Sequence, residues 1–177
     1  MICTVVGTPG SGKSALAEEL AIGTGDSLRI YLATMKICDR DGEERVKRHR
    51  KSREGKSFVT IEKIYLVSGL LESLEDPANT TILLECVSNL VGNEMYDNPG
   101  RACGISFDNA DEISGEIAAD IERLAKGTSN CILVTNRYTA DGDDYDDSTR
   151  LYVHILNLVN ERIMLFSDKV YDLTEGV

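Results

Sequence analysis

Tryptophan is absent from this sequence, and aromatic residues make up only 6% of it. No aromatic-rich face for stacking nucleic-acid bases is therefore expected. Positive charge is also scarce: 19 Lys and Arg stand against 30 Asp and Glu, a net charge of -11. That balance argues against general binding to nucleic acid or to anionic membrane surfaces. No run of about 18 apolar residues occurs, so no membrane span is expected. The first residues enter a strand-like run without a basic n-region or cleavage site, so no signal peptide is expected either. None of the five cysteines (Cys3, Cys38, Cys86, Cys103 and Cys131) forms a CxxC pair, which makes a zinc site unexpected. Cys3, Cys86 and Cys131 lie in or beside apolar runs and should pack as small hydrophobes. This usage suits a reducing compartment and predicts a cytoplasmic protein. No repeat or low-complexity linker divides the 177 residues, so they read as one domain, 1–177, with a substantial core.

What the chain does have is a complete GxxxxGK[ST] element: Gly7-Thr8-Pro9-Gly10-Ser11-Gly12-Lys13-Ser14. It follows the apolar run Ile2-Cys3-Thr4-Val5-Val6 and precedes Ala15-Leu16-Ala17-Glu18-Glu19-Leu20. Strand, glycine loop and helix in that order form the context in which this motif binds phosphate. The glycines let backbone N–H groups curl around a β-phosphate, and the helix N-terminus adds a favourable dipole. Lys13 would reach the β- and γ-phosphates, and Ser14 would hold Mg²⁺. A nucleoside triphosphate, ATP or GTP, is the expected ligand.

Strand patterns fall at 2–6, 28–33, 58–62, 80–85, 130–135 and 169–173, and helix patterns at 13–22, 42–53, 67–75, 86–95, 109–126 and 148–166. Their alternation predicts an α/β fold, a mainly parallel sheet with helices on both faces. Such sheets bind ligands at the carboxyl ends of their strands. Glu85, the last residue of Thr80-Thr81-Ile82-Leu83-Leu84-Glu85, stands where a phosphate-loop enzyme places its Mg²⁺ partner.

Two charged segments break the pattern. The first is basic, with Arg45, Lys47, Arg48, Arg50, Lys51, Arg53 and Lys56 around His49. On a helix, Arg45, Arg48, His49 and Arg53 share a face. Neighbouring cations disfavour imidazolium, and a neutral imidazole can attack phosphorus to give a phosphoramidate. The cations would also offset negative charge on a polyphosphate in the transition state. A surface histidine on a solvated helix is the plainer reading of the same residues. The second segment holds Asp141, Asp143, Asp144, Asp146 and Asp147 and reads as a surface loop. The remaining histidine, His154, sits in Leu151-Tyr152-Val153-His154-Ile155-Leu156 and reads as a helix-face residue, not a ligand.

Several of these segments together resemble the adenosylcobinamide kinase / adenosylcobinamide-phosphate guanylyltransferase family over nearly the whole chain. The matching pieces are the phosphate loop, Tyr31-Leu32-Ala33-Thr34, Arg45-Val46-Lys47-Arg48-His49-Arg50, Phe58-Val59-Thr60-Ile61-Glu62, Ile82-Leu83-Leu84-Glu85-Cys86, Val134-Thr135-Asn136, and Val159-Asn160-Glu161-Arg162 followed by Asp168-Lys169-Val170. The resemblance implies a three-layer, RecA-like phosphate-loop fold, a homotrimer, and two reactions on a corrinoid substrate. One transfers a γ-phosphate; the other transfers GMP through His49. It also implies that Ala33, Thr34, Met35, Arg50, Lys51, Ser52, Arg53, Glu62 and Glu85 belong to the nucleotide site. The chain departs from the family pattern at Thr8 and Gly10, at Phe58, at Arg137-Tyr138 with the Asp-rich stretch that follows, and at His154 and Asn157. Read from the residues alone, two alternatives stay open. One is a phosphate-loop kinase for another small alcohol, with His49 only a phosphate contact. The other is a diverged nucleotide-binding regulatory or assembly module without catalysis.

Overall fold

The computed structural model describes residues 1–36, 55–101, 104–138 and 145–174. Six strands run in chain order: β1 (Ile2–Gly7), β2 (Leu28–Ala33), β3 (Phe58–Glu62), β4 (Thr80–Glu85), β5 (Asn130–Asn136) and β6 (Lys169–Leu173). They form one sheet in the order β3-β2-β4-β5-β1-β6, and every pairing is parallel. The continuous apolar runs of β1, β4 and β5 therefore occupy interior positions, where both faces need covering. β1 is buried along its whole length, whereas edge strand β3 leaves Val59 and Thr60 exposed. Strand β5 separates phosphate-loop strand β1 from acid-bearing strand β4, the RecA-like arrangement of a three-layer phosphate-loop fold.

The period-2 alternation of side chains sorts the sheet residues onto two cores. Cys3, Val5, Tyr31, Leu83, Ile132 and Val134 face helix α1 (Lys13–Gly23) together with its Ala17 and Ala21. Ile30, Leu32, Ile82, Leu84 and Leu133 face the larger core. That core is closed by α2 (Val87–Tyr96), α3 (Ala110–Lys126) and α4 (Asp147–Phe166). Cys3 and Cys131 are buried free thiols within these cores. Burial pushes both thiols up, Cys131 to about 12, so they pack as hydrophobes.

Two local expectations need correction. The stretch 67–75 is not an α-helix; Val67–Ser73 forms a 3₁₀ helix entered through Leu66 at φ 49. Its three-residue turn puts Val67 and Leu70 on one buried side. The Asp120 carboxylate on α3 pins it, accepting from Ser68 N at 3.3 Å and from Ser68 Oγ at 2.5 Å. The acidic run is also not all loop. Asp147 opens α4, and Asp146 caps that helix by accepting from Thr149 N at 2.7 Å. This bond lowers the Asp146 pKa, and acids at this end complement the helix dipole. Asp141, Asp143 and Asp144 lie outside the described residues, as do the helix pattern at 42–53, Cys38 and Cys103.

Candidate active site

The parallel register brings the carboxyl ends of the strands into line. Ala33 pairs with Glu62 on one side and with Glu85 on the other, and Gly7 pairs with Asn136. Glu85 and Ala33 therefore lie at one level of the sheet, beside the loop that leaves β1. Glu62, at the same level, ends the exposed edge strand.

Thr8, Pro9, Gly10 and Gly12 are exposed along this edge. Gly7 has no room for a side chain without a shift, since a Cβ there would run into Ser11 Oγ and lie 3.3 Å from the Leu173 carbonyl. Gly12 adopts φ 83 and leads straight into α1, with no side-chain cap and no acid in the first turn. The helix thus keeps its first amide groups and the positive end of its dipole for an anion. Lys13 Nζ folds back to donate to Thr8 O at 2.9 Å. Burial lowers the pKa of this amine, and nearby Cys86 and Glu85 oppose that shift. A phosphate at the loop would add a further counter-charge to the amine.

Ser14 and Glu85 are 71 positions apart in sequence, yet Ser14 Oγ donates to Glu85 Oε1 at 2.5 Å. The second carboxylate oxygen, Glu85 Oε2, is buried and has no hydrogen-bond partner among the described residues. An anionic oxygen left unpaired in this way is costly unless a cation completes the site. A hydroxyl beside one carboxylate also fits Mg²⁺, which binds such sites through few protein ligands, waters and substrate phosphates. No cluster of three or more His, Cys, Asp or Glu able to hold a metal by itself occurs among the described residues. Glu85→Gln should keep the Ser14 contact while removing the charge. Its affinity for ATP without Mg²⁺ should equal or exceed that of the unaltered chain, and the enhancement by Mg²⁺ should fall at least about tenfold. Equal enhancement in a Mg²⁺ titration of ATP binding would take Glu85 out of the metal site.

Sequence reasoning missed how Glu85 is held. The Thr34 hydroxyl accepts from Cys86 N and donates to Cys86 O, both at 2.8 Å. Thr34 N donates to Glu85 O at 3.2 Å. The Glu85–Cys86 peptide bond is cis. Asn93 on α2 donates to Thr34 O at 2.7 Å and to Ile64 O at 2.9 Å. A second, half-buried chain runs from Cys86 Sγ to Ser88 Oγ (2.9 Å), on to Asn136 Nδ2 (2.6 Å), and from Asn136 O to Asn160 Nδ2 (3.0 Å). Thr135 Oγ1 donates to Asn160 Oδ1 at 2.7 Å. The signal for these residues was present in the sequence as polar residues closing β5 and interrupting the apolar face of α4. Periodicity alone could not say what they bond to.

Of the basic segment, Lys56 is described, and its ammonium pairs with the buried carboxylate of Glu18 on α1 at 2.5 Å. It is a strut to the phosphate-loop helix. His49, Arg45, Arg48, Arg50, Lys51, Ser52 and Arg53 lie outside the described residues. Met35 is half-buried just past β2. His154 is exposed, with its ring 5.7 Å from that of Phe107, as expected of a helix-face residue. Arg137 pairs with Asp172 on β6 at 2.8 Å.

Residues 3–177 match the model of the family described as cobinamide kinase / cobinamide phosphate guanyltransferase. A curated relative, the bifunctional adenosylcobalamin biosynthesis protein CobU of Escherichia coli (strain K12), is 29% identical over 182 residues, covering 100% of this chain and 97% of its own. Among solved structures, the flagellar accessory protein FlaH from Methanocaldococcus jannaschii aligns with 91% of this chain and 67% of its own length, at a TM-score of 0.47 and 15% identity. No described helix is long and apolar enough to cross a membrane.

Proposed function

Because the chain belongs to the cobinamide kinase / cobinamide phosphate guanyltransferase family, we propose that it carries out two successive transfers in cobalamin biosynthesis. In the first, the γ-phosphoryl group of ATP or GTP passes to the hydroxyl of the aminopropanol arm of adenosylcobinamide, releasing the nucleoside diphosphate. In the second, His49 attacks the α-phosphorus of GTP. A P–N bond forms as the bond to the bridging oxygen breaks, and pyrophosphate leaves. The phosphate of adenosylcobinamide-phosphate then takes the GMP, giving adenosyl-GDP-cobinamide and restoring the histidine.

The observation that carries this reading is the pairing of Ser14 with Glu85 beside the uncapped phosphate loop, in a chain that matches the family from end to end. The loop amides and Lys13 hold the β- and γ-phosphates in place, so the displaced group departs into a site already set for its charge. Ser14 and Glu85 would hold Mg²⁺, which would neutralise charge on the phosphate oxygens. Thr34 fixes Glu85 from behind through Cys86.

The test is direct. Purified protein with Mg²⁺ and γ-³²P ATP should phosphorylate adenosylcobinamide, and α-³²P GTP should label the protein covalently in the absence of a corrinoid. Phosphorylation without labelling would remove the guanylyl half. Neither reaction, in a folded protein that still binds nucleotide, would leave only a binding module.

A further inference from the structure

A second concavity opens on the same edge of the sheet. It is a cleft of about 380 Å³ between the exit of β2, helix α2 and the first turns of α4. Its wall carries Met35, Ser88, Asn89, Gly92, Tyr96 and Tyr152. We propose that this cleft is the acceptor pocket: it takes the uncharged hydroxyalkyl-amide arm of the corrinoid, while the macrocycle lies outside against Tyr96. This rests on the transferase reading above and adds the place and chemistry of the second substrate.

Position is the first argument. Ser88 lies three residues after Glu85, in the first turn of α2, and its Oγ is 2.9 Å from the sulfur of Cys86, the residue next to Glu85. An arm that enters along α2 is therefore led toward the carboxylate and the phosphate loop, where its hydroxyl must arrive to accept a phosphoryl group.

Charge is the second. Among the described residues, the two ionised groups of the cleft, Lys36 and Asp97, pair at 2.6 Å. The described wall therefore presents no uncompensated cation to an anion, and it suits the neutral part of a substrate.

The polar groups of the wall form the third argument. Asn93 donates both to Thr34 O and to Ile64 O, and Tyr152 OH donates to Ser88 O at 3.1 Å. These groups are held rigid and are already satisfied. The half-buried Asn89 carboxamide bonds to no described residue. It offers one donor pair and one acceptor, the complement of an amide or hydroxyl.

Size is the fourth. At about 380 Å³, the cleft has room for a short arm. At the rim, Tyr96 is 55% exposed, and its hydroxyl is held by Ser148 Oγ at 2.8 Å. A flat apolar surface laid across it would bury an aromatic ring already fixed in orientation.

Two variants test the assignment. A Cβ at Gly92 would meet only Tyr152 Cε2, at 3.8 Å, so Gly92→Leu should fill the cleft from the helix without touching backbone. Asn89→Ala removes the carboxamide and leaves the helix backbone and the other wall residues in place. Both should raise the KM for adenosylcobinamide at least tenfold and leave the affinity for Mg-ATP within about twofold, the separation expected when acceptor contacts alone are lost. An unchanged acceptor KM in Asn89→Ala and in a folded Gly92→Leu would overturn the cleft assignment while leaving the transferase reading intact. Failure of the unaltered chain to phosphorylate adenosylcobinamide would instead overturn that reading, and the cleft assignment with it.

Discussion

Replacing His49 by Ala should erase covalent labelling by α-³²P GTP, by at least about 10³-fold, the scale on which loss of a nucleophile stops a covalent route. Transfer of the γ-phosphate to adenosylcobinamide should continue at within about threefold of the starting rate, because the proposed kinase step needs no protein nucleophile. The split between the two activities is what makes the substitution informative. A histidine that merely binds phosphate would lower both reactions together through nucleotide affinity. The label itself has a further signature. A P–N bond to imidazole is broken by acid and survives base, so the radiolabel should be lost at low pH and retained at high pH. Persistent labelling of His49→Ala would assign the nucleophile to another residue.

Lys13→Ala should have the other large effect, and it should fall on both reactions. Phosphoryl transfer should drop by about 10² to 10³, the loss typical when one preorganised electrostatic donor is removed from a transition state. Labelling by GTP should fall with it. The stability of the free protein should move the opposite way, or not at all. The Lys13 amine is buried against Thr8 O, and burial depresses its pKa in the folded chain. A depressed lysine favours folding only above its unfolded value, and that contribution is lost as pH falls through the folded one. Below both values, the charged amine works against the fold. Removing it should therefore leave the nucleotide-free Tm unchanged or slightly higher. Saturating Mg-ATP should stabilise the unaltered protein by about 2.7 kcal/mol at a hundredfold excess over Kd, and Lys13→Ala should lose most of that increment at the same concentration. Thermal scans with and without nucleotide check both signs at once. A variant with full Tm enhancement by nucleotide would show that Lys13 does not grip the phosphates.

The strands were legible from the sequence because each is short, apolar and bounded by turn formers, and six parallel strands with covering helices follow from their alternation with helical periods. The phosphate loop was legible for a different reason. Its function lies in the backbone, and the glycines that permit the backbone to curl are visible as letters. The segment at 67–75 was misread because Leu70, Leu71 and Leu74 suit an α-helix and a 3₁₀ turn equally well. Asp120, more than forty residues away, holds the turn through Ser68. The acid at the end of β4 and Ser14 were both recognisable as candidates for one Mg²⁺ site, but their direct hydrogen bond and the Thr34–Cys86 contacts behind it were not.

The sequence by itself determined the order of the strands, the glycine-rich loop that leads into α1, and the family through its ordered motifs. These rest on local conformational preference and on composition at fixed spacing, which the chain carries without folding. Tertiary structure alone decided which groups meet. Parallel register sets Glu85 level with Ala33 and brings its carboxylate to Ser14 across 71 residues. It also commits Thr34 to holding Cys86, and leaves one oxygen of Glu85 buried without a partner among the described residues. Those facts depend on distances between segments remote in sequence, fixed only when the sheet closes and burial decides which polar atoms find a bond.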